Sequence, residues 1–503
     1  MSLTRGLLPK FLIASICKLL ALGHMRFIFS FICVCLCALA HAQVVDISAP
    51  TKLPAKTGKF RIVGKNNDGI MVRLYGGDDV LNIYTNDLKL GASKTIMFKN
   101  QTGPLQYIML NKTGSVIFYL SQDKKMSVLY AQPLSSKFAE IGKPIAIDTI
   151  YDRKELVANN LRFKSSVDQN FLFIYYPYFS SGQVQSVKYI CLDRALNKIY
   201  NRSVAIQRSE KELESSQALI DNNGNSFLIV KPEKRSEGEQ YDVFTMNATG
   251  DAGFYSIFTD KTFFGEPGFE IDNKNGNLIV SGFYDDDTRK GEGEANGFMY
   301  ASYDPANGTP VNKTYTLLNR EFMADLTGRA SNDVGKLYTF NVKRILLRND
   351  GGALIIAESF IKDTRETMAA VSMSPGYNNY RTYNVYQFND IIAFSLNSTG
   401  KEEWSSIMRK KQVSEDDNGV FSSFAIMNEK EKLHFVYMDE ISTAGTVNDY
   451  TLSSDGKSTR KSMFNQEAKD VMLLPKMGKQ ISPNEMVIPS FKNGSLQLVK
   501  ITY

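Results

Sequence analysis

One local pattern recurs along this chain and limits what it can fold into: two short apolar runs folded back on each other across a cluster of Asn, Asp and Gly. Its fullest form is R-I-L-L-R-N-D-G-G-A-L-I-I-A-E-S (Arg344–Ser359), where Asn349-Asp350-Gly351-Gly352 separates the runs. Gly adopts positive φ without steric cost and Asn and Asp tolerate it, so the cluster predicts a tight turn and the flanking runs a hairpin. A polar, Tyr-rich segment follows. The chain then returns with N-D-I-I-A-F-S-L-N-S-T-G-K-E-E-W (Asn389–Trp404), a second hairpin turning at Asn397–Gly400. Two successive hairpins predict a four-stranded antiparallel sheet.

The unit repeats. Tyr107–Leu120, Ala218–Val230 and Phe269–Gly282 carry it clearly, and Leu161–Tyr176, Ser423–Tyr437 and Val471–Ile488 carry looser versions. With the strand-rich stretch Lys59–Lys99, the units recur at about 55-residue spacing, the signature of propeller blades of four strands each. The fold class expected is therefore all-β, a β-propeller of seven to eight four-stranded antiparallel blades. It is eight if Lys59–Lys99 and the last segment are separate blades. A pair of β-sandwiches is the rival, but the spacing is even and no linker-like stretch divides the chain. Residues 59–503 read as one propeller domain and 43–58 as an extended lead-in. The last segment offers only three strands, and Val44–Ser48 is the candidate for a fourth that closes the ring. Two segments break the pattern. In Leu317–Gly335, Leu318, Phe322, Met323 and Leu326 share one helical face, and Ser209–Gln217 is a weaker helical candidate.

The first 42 residues are different material. From Met25 they run M-R-F-I-F-S-F-I-C-V-C-L-C-A-L-A-H-A, with an apolar core from Phe27 to Leu39 and Ala40-His41-Ala42 before Gln43. This is the pattern of a cleaved signal peptide, with Met25 as the expected start of translation. The apolar core is short for a membrane span. Cys33, Cys35 and Cys37 follow bulky residues, which argues against lipidation. Export to the periplasm or beyond the cell surface is expected, with no transmembrane segment after cleavage.

The chain holds 59 Lys and Arg against 53 Asp and Glu, and four of the basic residues lie within residues 1–42, leaving 55 against 53. A near-neutral chain with interspersed signs lacks the clustered basic footprint of a nucleic-acid binder. After residue 42 only Cys191 and His434 remain of their kinds. An internal disulfide, a zinc site of several His or Cys, a Cys-His dyad and a Ser-His-Asp set are all disfavoured. No cofactor or metal motif is present. His434, within L-H-F-V-Y, reads as a structural strand residue.

The acidic clusters Asp78-Asp79, Asp285-Asp286-Asp287 and Glu415-Asp416-Asp417 fall in turns without EF-hand spacing. Paired carboxylates suit glycoside hydrolysis, but Trp404 is the single tryptophan and no sialidase-type repeat is found. Two Tyr-rich patches are more unusual. Phe171–Phe179 reads mostly as core. Tyr377, Tyr380, Tyr383 and Tyr386, in an insertion near 360–388, form the candidate partner surface, because Tyr gives contact area at low entropy cost.

The stretch Asp350–Ser359, followed by Y-Q-F-N-D-I-I-A-F (Tyr386–Phe394), G-K-E-E-W (Gly400–Trp404), K-K-Q (Lys410–Gln412) and D-D-N-G-V-F-S-S-F (Asp416–Phe424), resembles a family of secreted, propeller-like proteins of Bacteroidetes-type bacteria. The resemblance spans about 80 residues. That family has no established activity, so it implies a fold and an exported location only. The polar positions within it, Glu358, Asn389, Asp390, Lys411, Gln412 and Asp417, form a candidate binding or structural cluster at one end of a blade. Buried Asp and Glu need partners, and Lys411 is the expected one within the cluster. The functional reading is an exported, non-catalytic binding or assembly module that holds an envelope protein or a glycan. The alternative is a carboxylate-dependent polysaccharide hydrolase or lyase with its site in the central cleft. A third reading is a subunit of a surface or secretion machine.

Overall fold

The computed structural model describes residues 43–53, 58–123, 126–150, 160–180, 183–233, 239–285, 295–328, 340–368 and 380–503. The expected signal segment lies outside these residues, as do Tyr377, Asp286 and Asp287. Eight antiparallel sheets follow one another in sequence order and form a propeller ring. Blade 1 covers Lys59–Thr95, blade 2 Tyr107–Ile150, blade 3 Arg162–Ser209 and blade 4 Gln217–Thr259. Blade 5 covers Gly268–Leu317, blade 6 Phe340–Glu415, blade 7 Ala425–Asn465, and blade 8 Lys479–Thr502 with a strand from the other end of the chain.

The blades stack through hydrophobic clusters at their interfaces. Strand Ser115–Asp123 of blade 2 shows the rule: Ile117 and Tyr119 pack toward blade 1, while Val116, Phe118 and Leu120 pack toward blade 3. Both sheet faces are buried, so the strand is a continuous apolar run rather than an alternating one. Blade 6 behaves alike, with Ile355 and Ala357 toward blade 5 and Ile356 toward blade 7.

Val44–Ile47 is the outermost strand of blade 8, in antiparallel register with Ser495–Thr502 from Val44↔Thr502 to Ile47↔Val499. Lys65 of blade 1 pairs with Glu485 of blade 8 at 2.7 Å, and Phe60, Val72, Val487 and Leu498 share a cluster across the same joint. Closure removes the open sheet edges that a linear array would expose.

Helix α1 (Glu210–Glu214) begins in a capping box from Ser209. Helix α2 (Arg320–Thr327) is capped by Asn319, whose side chain accepts from Glu321 N, and ends at Gly328 in the left-handed conformation. Leu318, Met323 and Leu326 are buried, and Phe322 packs on Phe394, so the apolar stripe covers the joint between blades 5 and 6. Among the described residues no helix is long and apolar enough to cross a membrane.

Candidate functional site

Blade 6 departs from its neighbours. Its middle strands, Ala353–Met368 and Tyr380–Leu396, are 16 and 17 residues long. Up to Ser359 they belong to the blade sheet; from Phe360 onward they pair with each other and with the short strand Gln412–Glu415, forming an arm. The register shifts between Glu358 and Phe360, opposite Ile391 and Phe388, so that Asn389 and Asp390 face Ser359 alone. Such a bulge bends a strand and re-aims its side chains. Here it turns Asp390 onto the break between strands Glu402–Met408 and Gln412–Glu415: Asp390 accepts from Lys410 N at 2.9 Å and from Arg409 Nη1 at 3.0 Å. Arg409 also donates to Leu326 O at 2.7 Å, which fastens the end of α2 to the same point.

Below the bulge lies a buried polar network. The Glu358 carboxylate meets Lys410 Nζ at 2.8 Å and accepts from Ser423 Oγ at 2.7 Å. Lys410 Nζ also donates to Phe388 O and to Gln412 Oε1, each at 2.9 Å. The ammonium thus makes two hydrogen bonds and lies in an ion pair with Glu358 Oε1. Burial pushes the Lys410 amine below the usual lysine range, against the pull of the neighbouring Glu358. Gln412 donates to Met438 O at 2.7 Å and accepts from Ser423 N at 2.7 Å, linking the base of the arm to blade 7.

Of the six polar positions, the structure joins Glu358, Asp390 and Gln412. Lys411 is not the partner of Glu358; it is exposed, and Lys410 takes that role. Met408, Lys410, Gln412 and Ser414 are all buried, a period of two that carries the inward face of the strand across the break. Continuing that alternation through the Lys-Lys pair was the signal that selects Lys410. Asp417 lies apart, bonded to Ser414 Oγ and Gly419 N in its own turn. Asn389 lines a cleft of about 250 Å³ with Leu326, Thr327, Asp390 and Lys411.

The tyrosines divide differently from expectation. Tyr386 is 6% exposed, and its hydroxyl donates to Asn418 Oδ1 at 2.9 Å, so it belongs to the core of the arm and not to a partner surface. The turn after Glu415 folds over it, with Asp416 Oδ1 accepting from Asn384 N at 2.9 Å. Tyr383 is half-buried opposite Arg365. Tyr380 pairs with Met368 through the backbone.

Two larger clefts flank the Glu429–Lys432 turn of blade 7. One, about 550 Å³ and between blades 6 and 7, is lined by Trp404, Arg348, Asn349, Lys430 and Glu431. The indole N–H of Trp404 donates to Ser454 O at 3.1 Å, and the ring lies against Gly456. The other, about 450 Å³, holds His434, Glu429, Glu431 and Tyr503. His434 is buried between Asp449 Oδ2 at 2.9 Å and Glu429 Oε2 at 3.2 Å, with the Tyr503 ring 3.8 Å away. None of these three clefts is lined by three carboxylates. Among the described residues no group of three or more His, Cys, Asp or Glu is placed to hold a metal ion. Asp79, from one acidic cluster, is committed to Arg73 at 2.6 Å and to Leu105 N at 2.7 Å.

No family model matches the chain, and no curated protein does. Solved structures similar to it include prolyl oligopeptidase B from Galerina marginata, at 8% identity and a TM-score of 0.36, covering 91% of this chain and 55% of that one. An oligogalacturonate lyase in complex with manganese matches at 8% identity and a TM-score of 0.36, over 92% of this chain and 97% of that one. The β-propeller domain of the trilobed protease from Pyrococcus furiosus matches at 11% identity and a TM-score of 0.31, over 84% and 98%. The chain thus spans about half the length of the prolyl oligopeptidase, and no activity transfers from likenesses this distant.

Proposed function

We propose that the protein is an exported, non-catalytic binding module of a bacterial envelope that holds a protein partner on the arm of blade 6. The observation that carries this reading is the arm itself: a hairpin extension beyond the blade, joined near its base by the strand Gln412–Glu415 and locked there by the Glu358–Lys410–Gln412 network. Rigid placement of an otherwise exposed element is what a recognition surface needs, because it lowers the ordering cost of binding. On the same grounds the cluster is a clamp and not a reactive site, since its ammonium and carboxylate are held against each other as a buried ion pair. The signal-like segment at Met25–Ala42 supports export.

The Trp404 cleft favours a second reading, a glycan partner, since an indole beside Arg348 and Asn349 suits sugar stacking with hydrogen bonding.

A crosslinking pull-down from the native envelope tests the first reading. It is run beside a variant in which residues 363–385 are replaced by Asn-Gly, joining the registered pair Lys362 and Tyr386. Capture of a defined protein by the parent and not by the variant supports it. Equal capture by both, or capture by neither, counts against the arm and sends the search to glycans and the Trp404 cleft.

A further inference from the structure

From Ile361 to Met368 one edge of the arm pairs with Tyr380–Gln387; among the described residues no strand pairs with the other edge. Lys362, Asp363, Thr364, Arg365 and Glu366 are all exposed. An unpaired strand edge is a template for another strand, and natural proteins block such edges when pairing is unwanted. The charges here are ordered in a way that selects a particular strand. Read about Thr364, the sequence K-D-T-R-E is antisymmetric in charge: positive, negative, neutral, positive, negative, so each charge has the opposite sign at its mirror position.

We propose that this edge pairs antiparallel with the same edge of a second copy, about a two-fold axis through Thr364. In that register Lys362 of each chain faces Glu366 of the other, and Asp363 faces Arg365, so all four directly opposed charged pairs are of opposite sign. Opposite charges across a strand pair stabilise it and like charges oppose it. A slip of one residue sets Asp363 against Glu366, or Lys362 against Arg365. A slip of two sets Asp363 against Asp363, or Arg365 against Arg365. Among registers within two residues of it, only this one avoids repulsion, and no other register makes as many opposite-charge pairs. Asp363 and Arg365 already pair at 3.1 Å on one face of the strand, which leaves a four-charge cluster on that face of the dimer. Self-complementary contact about a two-fold axis is the form that closed dimers take. An edge this short gives a small interface, hence a concentration-dependent dimer rather than an obligate one. The inference rests on the reading of the arm as an interaction surface and names its occupant.

Sedimentation and light scattering of the purified protein over a concentration series test it, at low and high salt. The parent is expected to dimerise, less so at high salt. Glu366→Lys opposes Lys to Lys at both ends and is expected to weaken the dimer by roughly tenfold or more. Adding Lys362→Glu restores opposite signs and is expected to restore the dimer. These side chains are exposed, so folding is not at stake. Thr364→Cys should form an intermolecular disulfide on mild oxidation, because the other described thiol, Cys191, is buried. A protein that stays monomeric at all concentrations overturns the proposal, as does a dimer indifferent to Glu366→Lys. A monomer that nevertheless captures an envelope protein through the arm overturns self-pairing and assigns the edge to a foreign strand, leaving the binding-module reading intact.

Discussion

Lys410 Nζ lies 2.8 Å from Glu358 Oε1, and neither side chain has any exposed surface. Burying two charges is costly unless each satisfies the other and the remaining bonds are made. Here Ser423, Gln412 and Phe388 O complete the set. The pair holds the point where the arm leaves blade 6, so its loss is felt in stability and in the placement of the arm together.

Lys410→Met leaves the buried Glu358 charge with only the part-exposed Lys343, 3.9 Å away, and is expected to destabilise the protein by up to about 3–5 kcal/mol. Adding Glu358→Gln removes that charge and recovers part of the loss, so the two effects are not additive. Denaturant unfolding of the two single variants and the double variant checks this; additive losses would show that the pair is not coupled.

Tyr383 and Tyr386 separate by experiment. Tyr386→Ser removes a buried ring and its bond to Asn418, and is expected to cost about 3–5 kcal/mol, a marked fall in the thermal midpoint. Tyr383→Ser, at a half-buried position, should move the midpoint little. Equal falls would place both rings in the core.

The ring closes by pairing Val44–Ile47 with Ser495–Thr502. Val44→Cys with Thr502→Cys joins two directly opposed positions at the margin of that pair. If the closing strand limits stability, the disulfide stabilises the oxidised form by about 2–4 kcal/mol over the reduced one. Calorimetry with and without reductant reads the difference, and no difference would show that the ring opens elsewhere first.

Gly456 has φ +82°, and a Cβ there would come within 2.7 Å of the Trp404 ring. Gly456→Ala is expected to cost about 1–2 kcal/mol through backbone strain alone, and to displace the indole toward solvent. Trp404 is the single tryptophan of the chain, so its emission should shift to the red. An unchanged spectrum would mean that the ring does not rely on that contact.

Burial pushes the Tyr119 and Tyr300 hydroxyls and the Cys191 thiol up to about 12, and the Tyr189 and Tyr241 hydroxyls well above the usual tyrosine range. Groups whose folded pKa is raised contribute stability that is complete below the unfolded value, near 10 for Tyr, and lost as pH rises beyond it. Stability should therefore fall between about pH 10 and 12, and part of the tyrosinate absorbance should appear only as the fold is lost. Full titration near pH 10 with native structure intact would contradict this burial.

Much of the fold is legible in the sequence for local reasons. Turn clusters such as Asn349–Gly352 fix the hairpins, and their even spacing fixes a ring of like units. The helical stripe of Leu318, Met323 and Leu326 is legible by its period. The candidate cluster was legible only in part. Glu358, Asp390 and Gln412 come together, but whether Lys410 or Lys411 joins them depends on which face of a broken strand continues inward across the bulge at Asn389–Asp390.

Tertiary structure alone decided the rest. Tyr386 is buried because a turn about 30 residues later folds over it, where Asn418 accepts its hydroxyl. The Trp404 cleft exists because blade 7 brings Ser454 and Gly456 to blade 6. Among the described residues, the first strand of blade 6 reaches back to Phe340 opposite Ser359, and no strand pairs with the Lys362–Glu366 edge, which only the strand register reveals. Turns and strand periods arise from interactions within a few residues, which the sequence displays directly. The choice of face, partner and edge arises from the packing of blades around a closed ring, which no short window of sequence contains.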